Sequence, residues 1–283
     1  MPAAARVRID LTEEDVLDAV AAPAGPKRRK GGDLLGWFTP GGSCSSRPPR
    51  HRAGAPSAGF QPAATAPPAV RELLGPSLLP SDGGEALYAP LTPDGGSWLW
   101  LVRGMLPPGP GSFEALWQRH PPQLGGGRIF GRDVTFHRYQ QAFGADYAFS
   151  GQLARAAALD PAASPEVFLA KEALRSWLQR SGPRLQGLRY EACLVNWYEG
   201  GGHWIGPHAD DERGLVSGAP IFVISWGESR LFRAAPKSRQ QAEGLHAEVE
   251  LGDGDLLVMG GRCQRTHKHE VPKRTRCLGR RIS

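Results

Sequence analysis

The stretch from Asn196 to Glu212, NWYEGGGHWIGPHADDE, constrains the fold of this chain more than any other. It places His208 and Asp210 two residues apart at the end of a segment with strand character. Side chains with this spacing on an extended strand project from the same side of the backbone. An imidazole nitrogen and a carboxylate oxygen can then bind one metal ion, so the stretch predicts half of a metal site.

Three consecutive glycines, Gly200 to Gly202, precede this pair. They separate the strand-like run Asn196 to Tyr198 from a second short run, Trp204 and Ile205. Glycines between two runs of aromatic and β-branched residues are typical of a tight turn. The pattern therefore predicts a β-hairpin whose second strand delivers His208.

A further ligand must come from a distant segment, and GGRCQRTHKHEVPK offers His267 and His269. Both lie on the same face of an extended segment, so spacing from His208 does not choose between them. Two histidines and one carboxylate on one face of an octahedron, with open positions opposite, is the arrangement of non-haem Fe(II) oxygenases. The sequence predicts such a site, with either histidine completing it.

Short segments with strand and turn composition follow, and they predict an all-β barrel with the metal at its mouth. These segments are PIFVIS (220–225), RLFR (230–233) and LGDGDLLVMGG (251–261). The clearest helix begins after Ser164 as the N-cap, with Pro165 in the first position. Its apolar stripe predicts packing against the barrel.

These motifs together resemble the AlkB family of Fe(II)- and 2-oxoglutarate-dependent dioxygenases, and within it the nuclear duplex-DNA repair branch. The resemblance covers residues 128–283. It runs through N-x-Y, H-x-D-D-E, P-I-x-x-x-S-x-G, G-D-L-L-V-M, H-x-x-P-K and R-I, with RIFGRDVTFHRYQQAFGADYAFSG upstream. It implies an α+β fold at residues 87–283, a double-stranded β-helix (jelly-roll) barrel with flanking helices.

The resemblance implies iron as the metal, held by His208, Asp210 and His269. The family places its distal ligand three residues before a proline, and Pro272 fits His269. His267 is then expected to face solvent or substrate.

The resemblance also implies 2-oxoglutarate and O2 as cosubstrates. Asn196 and Tyr198 match family residues that hydrogen-bond 2-oxoglutarate. Arg281 matches the arginine that binds the far carboxylate, a pairing for which the guanidinium fork is suited. Arg280 is the alternative one residue away, and it would point to the other face.

The activity implied is oxidative demethylation of N-alkylated bases such as 1-methyladenine and 3-methylcytosine in DNA. Phe130 matches a residue that fills the hole left in a duplex, and Phe149 matches one that stacks on the flipped base opposite His208. The substrate-side residues implied are Phe130, Arg138, Tyr147, Phe149, Ser150, Asp211 and Glu212. The basic residues predicted to line a phosphate track are Arg138, Arg230, Arg233, Lys237, Arg239, Lys273 and Arg274.

Two other functions fit the same residues. One is demethylation of RNA or of protein by an enzyme of the same superfamily. The role implied for Phe130 favours duplex DNA over both. The other is a catalytically weak variant that binds nucleic acid. The sequence ends at Ser283, whereas the family continues to a second arginine six residues beyond the first. On that basis we expect one barrel strand to be short, iron binding weak and turnover slow.

Composition limits the class of protein further. The formal net charge of +6 suits an acidic polymer partner and equally an ordinary basic protein. The four cysteines form no C-x-x-C pair and no disulfide framework, which favours a reducing compartment. No apolar run approaches the roughly 20 residues that span a bilayer. We expect a monomer that does not enter a membrane.

Residues 1–86 are rich in proline, glycine and alanine and are expected to be largely disordered. The basic run PKRRK (26–30) is typical of a nuclear import signal and predicts a nuclear protein. Leu34, Trp37 and Phe38 share one helical turn and resemble a degenerate sliding-clamp binding box, although Gly31 stands where that box has glutamine.

Overall fold

The computed structural model describes residues 59–78, 84–129, 132–149, 152–210, 216, 218–237 and 244–283. The predictions for residues 1–58, including the import signal and Leu34, Trp37 and Phe38, lie outside these ranges. The helices are α1 (Pro68–Leu74), α2 (Ser112–Trp117), α3 (Pro165–Gln179), α4 (Pro183–Gln186) and α5 (Cys263–Thr266).

The strands are β1 (Gln61–Pro62), β2 (Ala86–Pro90), β3 (Ser97–Val102), β4 (Gly126–Ile129), β5 (Arg132–Thr135), β6 (Tyr139–Phe143), β7 (Tyr147–Phe149), β8 (Gln152–Ala154), β9 (Ala156–Ala157), β10 (Cys193–Tyr198), β11 (Ile205–His208), β12 (Ile221–Ile224), β13 (Trp226–Gly227), β14 (Arg230–Pro236), β15 (Ala247–Leu251), β16 (Leu256–Gly261), β17 (His267–Val271) and β18 (Arg281–Ile282). Three sheets contain most of them, in the orders β1-β2-β3-β16-β12, β13-β18-β10-β6-β9 and β11-β17-β14-β15. Two hairpins, β4-β5 and β7-β8, complete the described strands.

The first sheet is buried on both faces because its central strands, SWLWLV and LLVMGG, are continuous apolar runs. Alternate side chains point to opposite faces. Leu99 and Leu101 pack with Phe232 and Val249 of the β11-β17-β14-β15 sheet. The main core therefore lies between these two sheets, with the metal-site strands β11 and β17 in the second of them.

Helices cover the other face of the first sheet. Trp98 and Trp100 of β3 pack with Trp177 and Leu178 of α3. Helix α3 has the predicted start, but the side chain of Ser164 does not cap it. Instead the Ser164 hydroxyl donates to the carbonyl of Ala158. The sheets and helices confirm the prediction of an α+β jelly-roll fold with flanking helices.

Residues 61–78 fold onto this layer, although they lie in the N-terminal region whose composition predicts disorder. Val70 and Leu74 of α1 are buried in the cluster around Trp100. The Trp100 indole donates a 3.1 Å hydrogen bond to the carbonyl of Leu78. Because Pro68 occupies the first turn of α1, a proline-rich segment here begins a helix rather than preventing one. Among the described residues, no helix is both long and apolar enough to span a bilayer.

The predicted hairpin of β10 and β11 is wrong. Strand β10 pairs with β6 and β18, whereas β11 pairs with β17 in a different sheet. The glycine turn between them docks on the segment after β17, since the Gly201 N–H donates to the Cys277 carbonyl at 2.7 Å and the Gly201 carbonyl accepts from Arg274 N–H at 2.9 Å. These contacts direct the chain from one sheet to the other.

Gly201→Ala is expected to lower the free energy of unfolding by about 1–3 kcal/mol, the usual cost of overpacking. A Cβ at Gly201 would overlap the backbone carbonyl of Arg274, and backbone cannot rotate away as a side chain can. Gly202→Ala is the matched control, because a Cβ there meets nothing within 4 Å. Denaturant unfolding measures both, and equal stabilities would show that the turn is not docked as described.

Candidate metal centre and cosubstrate pocket

The structure brings together His208, Asp210 and His269. His208 ends β11 and is paired in register with His269 of β17, after an irregularity in the ladder beyond Ile205. One ligand atom from each of the three residues lies within 4.8 Å of the others. Asp210 Oδ1 is 3.7 Å from His208 Nε2, and Asp210 Oδ2 is 3.4 Å from His269 Nε2. Two imidazoles thus flank one carboxylate, and all three can bind one metal ion.

The protonation of His269 and the tautomer of His208 are those that bind a metal ion. Burial, with a smaller contribution from nearby His208, holds the pKa of His269 well below its usual value. Its imidazole is therefore neutral near pH 7, the form that binds metals. His208 Nδ1 lies 2.9 Å from the Gly206 carbonyl, which fixes Nδ1 as the donor and leaves Nε2 for a metal. This donor set fits Fe(II) in a facial site with open positions.

Gln264 holds the loop that carries Asp210, a role that its sequence position does not predict. Its side-chain carbonyl accepts the Asp210 backbone N–H at 2.9 Å. Gln264 lies in α5, between β16 and the strand that carries His269. The only signal in the sequence is its place in the segment leading to His269, which does not indicate where the side chain points.

The expectation that His267 faces solvent or substrate is wrong. His267 is 1% exposed. Its Nε2 lies 3.1 Å from the Leu245 carbonyl, and its Nδ1 lies 2.7 Å from the Thr266 hydroxyl. Burial lowers the pKa of His267, so the ring is neutral, with Nε2–H donating and Nδ1 accepting. The segment near Leu245 covers this end of β17. His267 therefore has a structural role, in which its ring joins that segment to the strand.

His267→Ala and His269→Ala are expected to have different effects. His267→Ala should lower the free energy of unfolding by about 1–3 kcal/mol, because it removes the two part-buried hydrogen bonds of a buried ring. It should leave the bound metal at full stoichiometry, whereas His269→Ala should remove the metal. Elemental analysis after gel filtration, with denaturant unfolding alongside, separates the two. Loss of metal from His267→Ala alone would exchange the roles of the two histidines.

Tyr198 and Arg281 form a buried pair beside this centre. They are register partners on β10 and β18, and each is 1% exposed. The guanidinium carbon of Arg281 lies 5.2 Å from the centroid of the Tyr198 ring, and its Nη2 donates to the Ser225 hydroxyl at 2.8 Å. Among the described residues, Arg281 Nε and Nη1 are buried without a hydrogen-bond partner.

Buried donors of this kind normally have a partner, and a carboxylate oxygen can accept a charge-assisted hydrogen bond from a guanidinium N–H. The far carboxylate of 2-oxoglutarate is therefore compatible with this pocket. Arg280, the alternative, points to the opposite face. It is paired with Glu114, and its guanidinium carbon lies 4.8 Å from the centroid of the Trp117 ring.

Asn196 and Arg138 occupy the neighbouring wall. Asn196 Oδ1 accepts from Arg138 Nε at 2.7 Å, and Arg138 Nη2 donates to Gln140 at 2.8 Å. Burial lowers the pKa of Arg138, while the charges of Tyr198 and Asp210 oppose that shift. Arg138 is thus directed towards the predicted metal and cosubstrate residues.

Other predicted substrate residues are described less fully. Phe130, Ser150, Asp211 and Glu212 lie outside the described residues. Tyr147 and Phe149 lie in β7, opposite Ala154 and Gln152 of β8, and only their backbone is described.

Among the described residues, the predicted phosphate track is not a single basic surface, and Arg239 lies outside them. Arg230 is 1% exposed and cannot reach a phosphate. Arg233 is paired with Glu248 and Glu270 at 2.6 and 2.9 Å, and Arg274 is paired with Glu250. Alternation along β14 explains the burial of Arg230, because it shares the inward face with Phe232 and Ala234.

Comparison with known proteins agrees with this site. The family model of the 2OG-Fe(II) oxygenase superfamily matches residues 116–283. The match covers more than half of the chain, so the protein belongs to the 2OG-Fe(II) oxygenase superfamily. Fe(II), 2-oxoglutarate and O2, the predicted cofactor and cosubstrates, are those of this superfamily.

Within the superfamily its relatives confirm the AlkB resemblance. The chain is 37% identical over 101 residues to mouse DNA oxidative demethylase ALKBH2, covering 34% of this chain and 42% of that protein. It is 31% identical over 102 residues to rat alpha-ketoglutarate-dependent dioxygenase alkB homolog 3, covering 34% and 35%. It is also 30% identical over 148 residues to the RNA replication protein of grapevine virus A (isolate Is 151), covering 52% of this chain and 7% of that protein. Each match therefore spans less than half of the relative's length.

Proposed function

We propose that this protein oxidatively removes alkyl groups from N-alkylated bases in DNA, such as 1-methyladenine and 3-methylcytosine, as a direct DNA repair enzyme. The observation that carries the proposal is the cluster of His208, Asp210 and His269 in a chain similar to a DNA oxidative demethylase. The cluster supports the chemistry, and the similarity supports the substrate class.

Each residue has a defined task in this proposal. His208, Asp210 and His269 hold the metal, and the contacts of Gly206 and Gln264 orient the first two. Arg281 binds the far carboxylate of 2-oxoglutarate, and Asn196 and Tyr198 line its pocket. When bound, Fe(II) with 2-oxoglutarate and O2 supplies an oxidation that places one oxygen atom in succinate and one in the alkyl C–H bond, releasing CO2. The hydroxylated carbon then leaves the base as an aldehyde.

The DNA-facing roles belong to the same proposal. A base within a duplex must leave the stack before its alkyl group can be reached. We assign Phe130 to the gap left in the duplex and Phe149 to stacking on the flipped base. Asp211 and Glu212 would read the base edge, and Tyr147, Ser150 and Arg138 would line its pocket. We also propose that the protein is a monomer that acts in the nucleus. Leu34, Trp37 and Phe38 would contact a sliding clamp there.

RNA is the second candidate substrate. Its support is the similarity to a protein named as an RNA replication protein over 52% of this chain. The same triad and cosubstrate pocket would serve, because the alkyl group to be oxidised is chemically the same on either polymer.

One experiment compares the candidates. Single-stranded DNA, duplex DNA and RNA of one sequence, each carrying one methylated base, are incubated separately with the protein, Fe(II) and 2-oxoglutarate. We expect succinate and formaldehyde in equal amounts, formed faster with DNA than with RNA. Faster turnover of RNA would support the second candidate. Binding without succinate would indicate a nucleic-acid-binding variant, and would contradict demethylation.

A further inference from the structure

Arg230 is a second buried arginine next to Tyr198. It begins β14 and is 1% exposed. Its Nη1 donates to the Gly200 carbonyl at 3.2 Å, and its Nη2 donates to the His203 and Pro272 carbonyls at 2.9 and 3.0 Å. Its Nε is buried and has no hydrogen-bond partner in the part of the chain that the structure describes. The guanidinium thus holds the turn before β11 and the end of β17, with one donor left over.

Arg230 and Arg281 lie at the same tyrosine. Their guanidinium carbons are 5.7 and 5.2 Å from the centroid of the Tyr198 ring. Burial is the main cause of the lowered pKa of Arg281, and the charge of Arg230 adds to that shift, whereas Tyr198 and the charge of Asp255 oppose it. In the part of the chain that the structure describes, three nitrogen atoms of these side chains have no hydrogen-bond partner: Nε of Arg230, and Nε and Nη1 of Arg281.

The carbonyl contacts do not neutralise this charge. No carboxylate of the described residues forms an ion pair with either guanidinium. Two buried like charges are unfavourable unless an anion joins them or hydrogen bonds satisfy them. A carboxylate between the guanidiniums would supply acceptors for both side chains and balance one of the two positive charges.

We propose that Arg230 is a second binding residue for the far carboxylate of the cosubstrate, sharing it with Arg281. The inference rests on the assignment of this pocket to 2-oxoglutarate. It adds a specificity: two guanidiniums make the pocket select dicarboxylates over 2-oxo acids without a second carboxylate. The role of Arg230 as a clamp on the glycine turn is compatible with this, but would not by itself produce such selectivity.

Pyruvate distinguishes the two roles. It carries the same 2-oxo acid group as 2-oxoglutarate and lacks the far carboxylate. The dissociation constants of both compounds are measured by calorimetry on protein loaded with Mn(II), which requires no turnover. Arg230→Gln removes the charge and keeps a donor for the carbonyls, and Arg230→Lys keeps the charge. Arg233→Gln is the control, since Arg233 lies on the same strand but is paired with Glu248 and Glu270.

Arg230→Gln is expected to weaken 2-oxoglutarate binding by about 10- to 100-fold, less than the loss of a sole charge partner because Arg281 still binds the carboxylate, and pyruvate binding by less than about twofold. Arg230→Lys should lie between wild type and Arg230→Gln, and Arg233→Gln should match wild type. Unchanged 2-oxoglutarate binding in Arg230→Gln, or equal weakening of both compounds, would overturn the proposal. If Arg230→Gln does not fold, unchanged 2-oxoglutarate binding in Arg230→Lys would also overturn it. A wild-type protein that binds 2-oxoglutarate but does not demethylate nucleic acid would contradict the proposed function and not this inference.

Discussion

Replacing Asp210 with alanine is expected to abolish Fe(II) binding and 2-oxoglutarate turnover in a protein that remains folded. Asp210 is one of three ligands, and it is the acidic one in the cluster. Loss of a partner outside the ligand set already lowers metal affinity or activity by about 10–100-fold, and loss of a ligand should exceed that. The Asp210 side chain is 24% exposed, so its removal leaves no deep cavity.

Elemental analysis after gel filtration measures the bound metal, and denaturant unfolding checks the fold. His208→Ala should behave in the same way as Asp210→Ala. His120→Ala is the control, because it removes a half-buried imidazole outside the cluster. Full stoichiometry of iron in Asp210→Ala would show that the three residues do not form the metal site.

Arg281→Gln is expected to weaken 2-oxoglutarate binding by about 2–5 kcal/mol, the usual cost of truncating one side of a buried, hydrogen-bonded charge pair. This corresponds to roughly 30-fold or more in the dissociation constant. Metal binding should persist, because Arg281 is not part of the His208, Asp210 and His269 cluster. Calorimetry with Mn(II)-loaded protein gives both affinities.

Arg280→Gln is the matched control, one residue away on the opposite face. Its pairing with the exposed Glu114 is of a kind that contributes about 0–1 kcal/mol to stability. We expect it to leave 2-oxoglutarate binding unchanged. If Arg280→Gln weakened binding and Arg281→Gln did not, the cosubstrate would bind on the other side of β18.

The sequence predicts the parts of this site that depend on local spacing. His208 and Asp210 follow from two-residue spacing on a strand, and Arg281 from a matched motif. His269 could not be chosen over His267 by spacing, because the choice depends on the pairing of β11 with β17. Such pairing joins segments some 60 residues apart, and local patterns do not specify it.

The errors have a common physical cause. Three glycines indicate that the chain can turn after Tyr198. Contacts with Cys277 and Arg274 determine which sheet the next strand, β11, joins. The spacing of His267 along its strand is the same whether the side chain is exposed or buried. The segment near Leu245 buries it, and that contact lies outside the local pattern.

The composition predicts Arg230 in a phosphate track, whereas its alternation with Phe232 and Ala234 indicates an inward position. Long-range packing overrides the local preference of a residue in each of these cases.

The central claim is that one pocket holds a metal at His208, Asp210 and His269 and a dicarboxylate at Arg281. Crystals grown with Mn(II) and 2-oxoglutarate, with an anomalous difference map recorded for manganese, test it most directly. The account predicts one strong peak bonded to His208 Nε2, His269 Nε2 and an Asp210 carboxylate oxygen, with the far carboxylate of 2-oxoglutarate at Arg281. A manganese peak elsewhere, or a carboxylate bound away from Arg281, would contradict it.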